Sequence, residues 1–284
     1  MKRQVFSLLF ALIAGAAFAG NPVITAKDFV ALTKSDKNLV IIDAGTADNY
    51  KTSHVTNAVN IPHKTLYKDG EPEGIIKSPE ELAAIFGAKG VSDNSTIVIY
   101  DEGSQKYSSR VYWILKYLGA ENVRILHKDM NEWKKVRVPI TRMPARAKKT
   151  TFTPKVNPAV LATFDQVKAK ADKAGVKLID VRTPEEFNGT SEKPVSPGHI
   201  PGSMNINYTE FLTSSKSFKS KEELAKLVSE KGIQPEDEII VFCKTSVRGA
   251  VAWIALHDIL GYRNVKLYDG ALAEWEHKGQ PIEK

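Results

Sequence analysis

Cysteine is almost missing from this chain: Cys243 is the only one in 284 residues. An internal disulfide and a multi-cysteine metal site are therefore excluded. Long apolar runs are scarce too, and the one at the amino terminus falls short of the roughly 20 residues that cross a bilayer. Charge of one sign does not dominate, since 40 Lys and Arg face 33 Asp and Glu for a formal net charge of +7. That excess attracts anions but forms no basic tail, so a small anionic substrate suits it better than a nucleic acid. What is present, 42% hydrophobic and 26% charged residues, supports a sizeable core, and the length favours two domains over one.

Residues 1–19 open with Lys2 and Arg3, continue through Leu8-Leu9-Phe10-Ala11-Leu12-Ile13 and close with Ala17-Phe18-Ala19. Charged, then apolar, then small is the layout of a signal peptide. The expected mature protein is periplasmic or secreted, with no membrane association once the leader is gone. Disulfides form readily in such a compartment, so a lone cysteine there points to chemistry, with a buried inert thiol as the plain alternative.

The chain repeats itself once. Ser78-Pro79-Glu80-Glu81-Leu82-Ala83 returns as Ser220-Lys221-Glu222-Glu223-Leu224-Ala225, and Ile97-Val98-Ile99-Tyr100 returns as Ile239-Ile240-Val241-Phe242. Leu39-Val40-Ile41-Ile42-Asp43 is answered by Val176-Lys177-Leu178-Ile179-Asp180, and Ser53-His54-Val55 by Gly198-His199-Ile200. A period this long makes each copy a domain with its own core rather than one unit of a solenoid. We expect a domain over residues 22–140, an exposed basic linker over 141–157, with a basic binding patch as its alternative reading, and a second domain over 158–284. In the second copy, strands are expected over 177–180, 204–206, 239–242 and 265–268, and helices over 164–174, 221–231 and 247–260. Strand and helix in alternation give an α/β fold, a mainly parallel sheet flanked by helices. Trp113, Trp133, Trp253 and Trp275 recur at equivalent places and are expected in the cores.

Cys243 ends the apolar strand Glu238-Ile239-Ile240-Val241-Phe242 and begins the loop Lys244-Thr245-Ser246-Val247-Arg248-Gly249, with a helical run after it. A thiol at the carboxyl end of a parallel strand sits where open α/β sheets bind ligands. Backbone N–H groups of such a turn can converge on one anion. Lys244 and Arg248 add cationic charge, and that surrounding favours the thiolate, the nucleophilic form.

The paired domains, Asp180-Val181-Arg182, the Gly198-His199-Ile200-Pro201-Gly202-Ser203 turn and the cysteine loop together resemble the rhodanese family of sulfurtransferases, over nearly all of the mature chain. The resemblance implies two tandem rhodanese-like domains and a persulfide carried on Cys243. Residues 244–249 would hold it, with Asp180, Arg182 and His199 in support. It implies no metal and no organic cofactor. Partners would be a small anionic sulfur donor such as thiosulfate and a thiol, cyanide or protein acceptor. The first copy has Asp101 in place of Cys243 and Gly45 in place of Arg182, so it is expected to be non-catalytic and to wall the cleft.

The loop departs from the family's patterns, being neither the Arg-Lys-Gly-Val-Thr of thiosulfate sulfurtransferases nor the Gly-Ser-Gly-Val-Thr of mercaptopyruvate sulfurtransferases. Glu186 near Arg182 argues against a carboxylate donor by repulsion. Arg182 and Asp180 read equally as an ion pair bracing the loop and as substrate contacts, and His199 reads as structural or as a general base. A cysteine phosphatase is the rival enzyme, but the arginine at 248 comes one residue too early for a phosphate loop. A sulfur or selenium carrier without turnover is the other alternative.

Overall fold

The structure is a computed structural model that describes residues 21–171, 173, 175–192 and 197–284. The expected signal peptide lies outside the described residues.

In the first half the chain forms β1 (Val23–Ile24), α1 (Ala26–Ser35), β2 (Leu39–Asp43), α2 (Ala47–Thr52), β3 (His54–Val55) and β4 (Val59–Asn60). It continues through α3 (Pro79–Ala88), β5 (Thr96–Tyr100), α4 (Lys106–Tyr117), β6 (Val123–Leu126), α5 (Met130–Val136) and β7 (Ile140–Thr141). The second half forms β8 (Leu161–Ala162), α6 (Phe164–Lys170), β9 (Val176–Asp180), α7 (Pro184–Phe187) and β10 (Met204–Asn205). After these come α8 (Lys221–Glu230), β11 (Glu238–Phe242), α9 (Gly249–Trp253), β12 (Val265–Tyr268) and α10 (Ala271–His277).

Each half builds a parallel sheet, in the orders β1-β6-β5-β2-β4 and β8-β12-β11-β9-β10. The orders are the same once equivalent strands are matched. The register agrees as well: Leu39 pairs with Thr96 and Asp43 with Tyr100, as Val176 pairs with Glu238 and Asp180 with Phe242. The carboxylates of Asp43 and Asp180 thus stand beside the residues that precede Asp101 and Cys243.

The repeated Ser-x-x-Glu motif has a local cause. Ser78 accepts a hydrogen bond from the Glu81 N–H while Glu81 accepts one from the Ser78 N–H, and Ser220 and Glu223 do the same, so both helices start at a capping box. Between the sheets, α4 packs on α9, and one apolar cluster runs from Ile97 and Trp113 to Trp253 and Leu267. Smaller clusters cover the other face of each sheet, around Phe29 and Trp133 and around Phe242 and Trp275. All four tryptophans are buried.

Three expected helices are shorter in the structure, the one over 221–231 by its last residue alone, since Lys231 is the cap. The one expected to reach 174 ends at Lys170, where the Ala171 N–H closes on the Val167 carbonyl; residues 172 and 174 are outside the described set. The one expected from 247 begins at Gly249, because Val247 and Arg248 are used in the turn, and it continues from Ile254 to Ile259 as a π-helical stretch. The linker is extended and mostly exposed, but Phe152 is buried against Phe86.

Candidate active site

Strand β11 delivers Cys243 to the carboxyl edge of its sheet, where the residue is 1% exposed. The loop after it is anchored at three places. The carbonyls of Cys243 and Lys244 accept hydrogen bonds from the N–H groups of Leu272 and Ala273, at 3.1 and 3.0 Å. Ser246 adopts φ +56° and donates its hydroxyl to the Tyr268 carbonyl. That left-handed conformation is uncommon for a residue with a side chain and shows how tightly the loop turns. Gly249 then lets the helix start, since a Cβ there would lie 2.7 Å from Leu267 Cδ1 and 3.3 Å from Phe242 Cα. Among the described residues, no backbone carbonyl accepts from the N–H groups of residues 245–249.

The two loop cations are paired, which corrects the expectation that they offer unopposed charge. Lys244 is bound to Glu276. Arg248 grips Glu186 with both terminal nitrogens, at 2.5 and 3.0 Å. Burial disfavours the Arg248 charge, but Cys243 and Glu186 outweigh it and raise its pKa above the ordinary arginine value. Arg248 is therefore the cation beside the thiol. Glu186 is neutralised by this pair, so it does not repel a carboxylate as the sequence suggested. Burial works against its ionisation too, yet the bonds from Arg248 and the Thr183 N–H hold its carboxyl below the usual range. Thr183, Glu185, Glu186, Ser191 and Arg248 face an open cleft of about 580 Å³. A cavity of about 680 Å³ elsewhere, lined by Tyr112, Lys116 and His257, contains no cysteine.

Asp180 and Arg182 are fully buried, and they form a brace. The guanidinium bonds the Asp180 carboxylate and the carbonyls of Glu186 and Gly198, the latter two at 3.1 and 2.8 Å. Burial pushes the Asp180 carboxyl up while Arg182 pulls it back. The first copy makes the same backbone corner without an arginine: Gly45 N–H donates to Asp43 at 2.8 Å, as Arg182 N–H donates to Asp180 at 3.0 Å. Asn60 and Asn205 close the two corners identically. His199 faces the Phe187 carbonyl at 3.0 Å through Nδ1, stacks on the Phe187 ring, and pairs its backbone with Glu283. Each of these contacts is structural.

The first domain covers the loop. Gly74, at φ +90°, fits so closely that a Cβ there would be 2.7 Å from Thr245 Cβ. Arg110, fully buried on α4, donates to the Gly74 carbonyl at 3.0 Å and pairs with Asp269 at the end of β12. The other Asp269 oxygen accepts from the Ile76 N–H at 3.1 Å. Tyr67 lies near enough to Cys243 to feel its charge; burial pushes its phenol up to about 12 against the pull of Arg110. Its hydroxyl meets His63 Nδ1 at 2.8 Å. Burial, then Arg110 and Lys64, lower His63 to about 4. His63, Tyr67, Gly74 and Arg110 were not singled out from the sequence. An arginine inside the otherwise apolar core face of α4 was the available signal.

Asp101, at the position of Cys243, shows what the equivalent loop of the first copy does with a negative charge. One oxygen accepts from the N–H groups of Gly103 and Gln105 at 2.8 and 3.2 Å, the other from those of Tyr107 and Ser108 at 3.0 and 3.2 Å. The Ser104 and Ser108 hydroxyls add two more bonds. That loop is an anion-binding turn filled by its own side chain.

The Rhodanese-like domain family matches residues 25–136 and 163–278. A putative thiosulfate sulfurtransferase of Haloferax volcanii is 32% identical over 255 residues, 87% of this chain and 88% of that protein. Sulfur carrier protein TtuD of Thermus thermophilus is 31% identical over 250 residues, 83% of this chain and 87% of that one. Among solved structures, the 3-mercaptopyruvate sulfotransferase SseA of Escherichia coli superposes with a TM-score of 0.79 at 27% identity, covering 89% of this chain and 99% of that chain.

Proposed function

The chain belongs to the rhodanese-like family of sulfurtransferases, and from that premise we propose that it moves sulfane sulfur from thiosulfate to a nucleophilic acceptor through a persulfide on Cys243. The observation that carries this reading is a single cysteine at a strand end beside Arg248, on a loop whose counterpart binds a carboxylate with four backbone N–H groups.

In the first half-reaction the Cys243 thiolate attacks the outer sulfur of thiosulfate. The S–S bond of the donor breaks and sulfite leaves with its electron pair. The persulfide anion is held by the N–H groups of residues 245–249, with Arg248 as the nearby cation. In the second half an acceptor attacks the terminal sulfur and the thiolate is regenerated, so the kinetics are ping-pong. Cyanide would leave as thiocyanate. Residues 1–19 would be removed on export, which amino-terminal sequencing of the protein from the periplasm or medium checks.

Burial of Cys243 and the similarity to a sulfur carrier support a second reading, in which the persulfide is passed only to a partner protein. Intact-mass spectrometry after thiosulfate treatment tests both. Wild type should gain the mass of one sulfur atom, Cys243→Ser none, and cyanide should discharge it catalytically. A stable persulfide without cyanide turnover favours the carrier. No sulfur gain rejects thiosulfate as donor.

A further inference from the structure

The net charge of the chain is matched by that of one strip. Between residues 130 and 157 there are eight Lys and Arg and one carboxylate, Glu132. The strip therefore carries +7, equal to the formal net charge of the entire chain, and the rest of the chain balances to zero. Lys134, Lys135 and Arg137 close α5, and the others lie along the linker. All eight are exposed. Among the described residues only Lys135 has a carboxylate partner, Glu132.

The large exposed apolar side chains are in the same place. Met130, Ile140, Met143 and Val156 are the exposed large hydrophobics of the described residues, and Met143 is 75% exposed. Exposed methionine and isoleucine interleaved with unpaired cations is not what a solvated linker requires.

The strip also lies on one end of the first domain. The Met143 carbonyl meets the His54 ring just after α2, Ala145 N–H donates to Tyr50 on α2, and Thr150 N–H donates to Gly87 on α3. Lys155 and Asn157 N–H groups donate to Leu118 and Tyr117 at the end of α4. The linker thus strings together the carboxyl ends of three helices. In a parallel sheet these gather opposite the carboxyl ends of the strands, so the strip faces away from the edge that covers Cys243.

We infer that this strip docks the protein on an anionic phospholipid surface, with Met143 and Ile140 entering the headgroup layer and the lysines and arginines meeting lipid phosphates. Five of the eight cations are lysine, which is depleted at protein–protein interfaces but suits a hydrated headgroup layer. Juxtaposed cations and apolar side chains are the two components of peripheral membrane binding. No helix of the described residues is long and apolar enough to cross a membrane. This proposal departs from the expectation of no membrane contact, and it is independent of the sulfur chemistry.

Vesicle co-sedimentation tests it, using the chain from Gly20 onward, which keeps every described residue. Wild type should sediment with phosphatidylcholine vesicles containing about 40% phosphatidylglycerol, and not with phosphatidylcholine alone. Arg142→Glu, Arg146→Glu, Lys148→Glu and Lys149→Glu combined should weaken binding by about tenfold or more, with the circular dichroism spectrum unchanged. Met143→Ser alone should weaken it by a smaller factor. If the charge-reversed chain misfolds, loss of wild-type binding at high salt together with the Met143→Ser effect carries the same conclusion. Equal sedimentation of wild type and charge-reversed protein, or none by either, overturns the proposal. Tighter binding to soluble polyglutamate than to vesicles overturns it in favour of an acidic protein partner. A shift in thermal midpoint on charge reversal without any vesicle effect would reduce the strip to neutralising helix dipoles.

Discussion

Glu186 and Arg248 hold each other in a two-point grip beside the thiol, and this pair sets the acid response of the site. The folded-state pKa of Glu186 lies below its unfolded value, so its stabilisation is complete above the ordinary glutamate range and is lost as pH falls through the depressed value. Thermal scans from neutral pH downward should show that loss, and Glu186→Gln should flatten it while lowering stability at neutral pH by about 1.5–3 kcal/mol. His63 acts in the same direction at higher pH. Its folded pKa is about 4, against 6.5 for an ordinary histidine, so the unfolded chain takes up the proton first and stability declines as pH falls across that interval. Its imidazole signals in NMR should not titrate between about pH 5.5 and 8. Arg182 shows how a residue can be conspicuous in sequence and still be used entirely for bracing. Its neighbour Asp180 and the carbonyls around it consume the guanidinium, and only the structure shows where those carbonyls are.

At the level of elements, the sequence was legible wherever the cause is local. The capping boxes at Ser78 and Ser220 start helices through contacts three residues apart, and strands β5 and β11 announce themselves as buried β-branched runs. The cysteine loop was legible because an abrupt turn between strand and helix is written in consecutive residues. What faces the loop was not. Gly74 meets Thr245 across 171 residues of chain, a distance over which no periodicity operates. Two constraints meet at that glycine, a left-handed φ of +90° and no room for a Cβ. Gly74→Ala should cost about 1–3 kcal/mol and lift the first-domain loop off the cysteine loop. Steady-state rates would then fall more than persulfide formation in a single turnover if the covering loop serves mainly to exclude water; equal falls would assign it to positioning the loop itself.

The whole molecule is tied together by charge as well as by the apolar cluster between the sheets. Arg110 from the first domain and Asp269 from the second are buried partners, and removing one leaves the other's charge uncompensated. Asp269→Ala should lower stability by about 3–5 kcal/mol and split a single calorimetric transition into two, one for each domain; a single unshifted transition would show that the apolar contact alone couples them. Duplication also left two equivalent turns of unlike fate. Asp101 is tethered by its own backbone and cannot be exchanged, so the first turn stays filled throughout the life of the protein. In the proposed cycle the second carries its extra sulfur only between donor and acceptor. Every inhibitor that competes for such a turn, sulfite included, should therefore titrate to one equivalent per chain, a stoichiometry written into a molecule that looks bivalent.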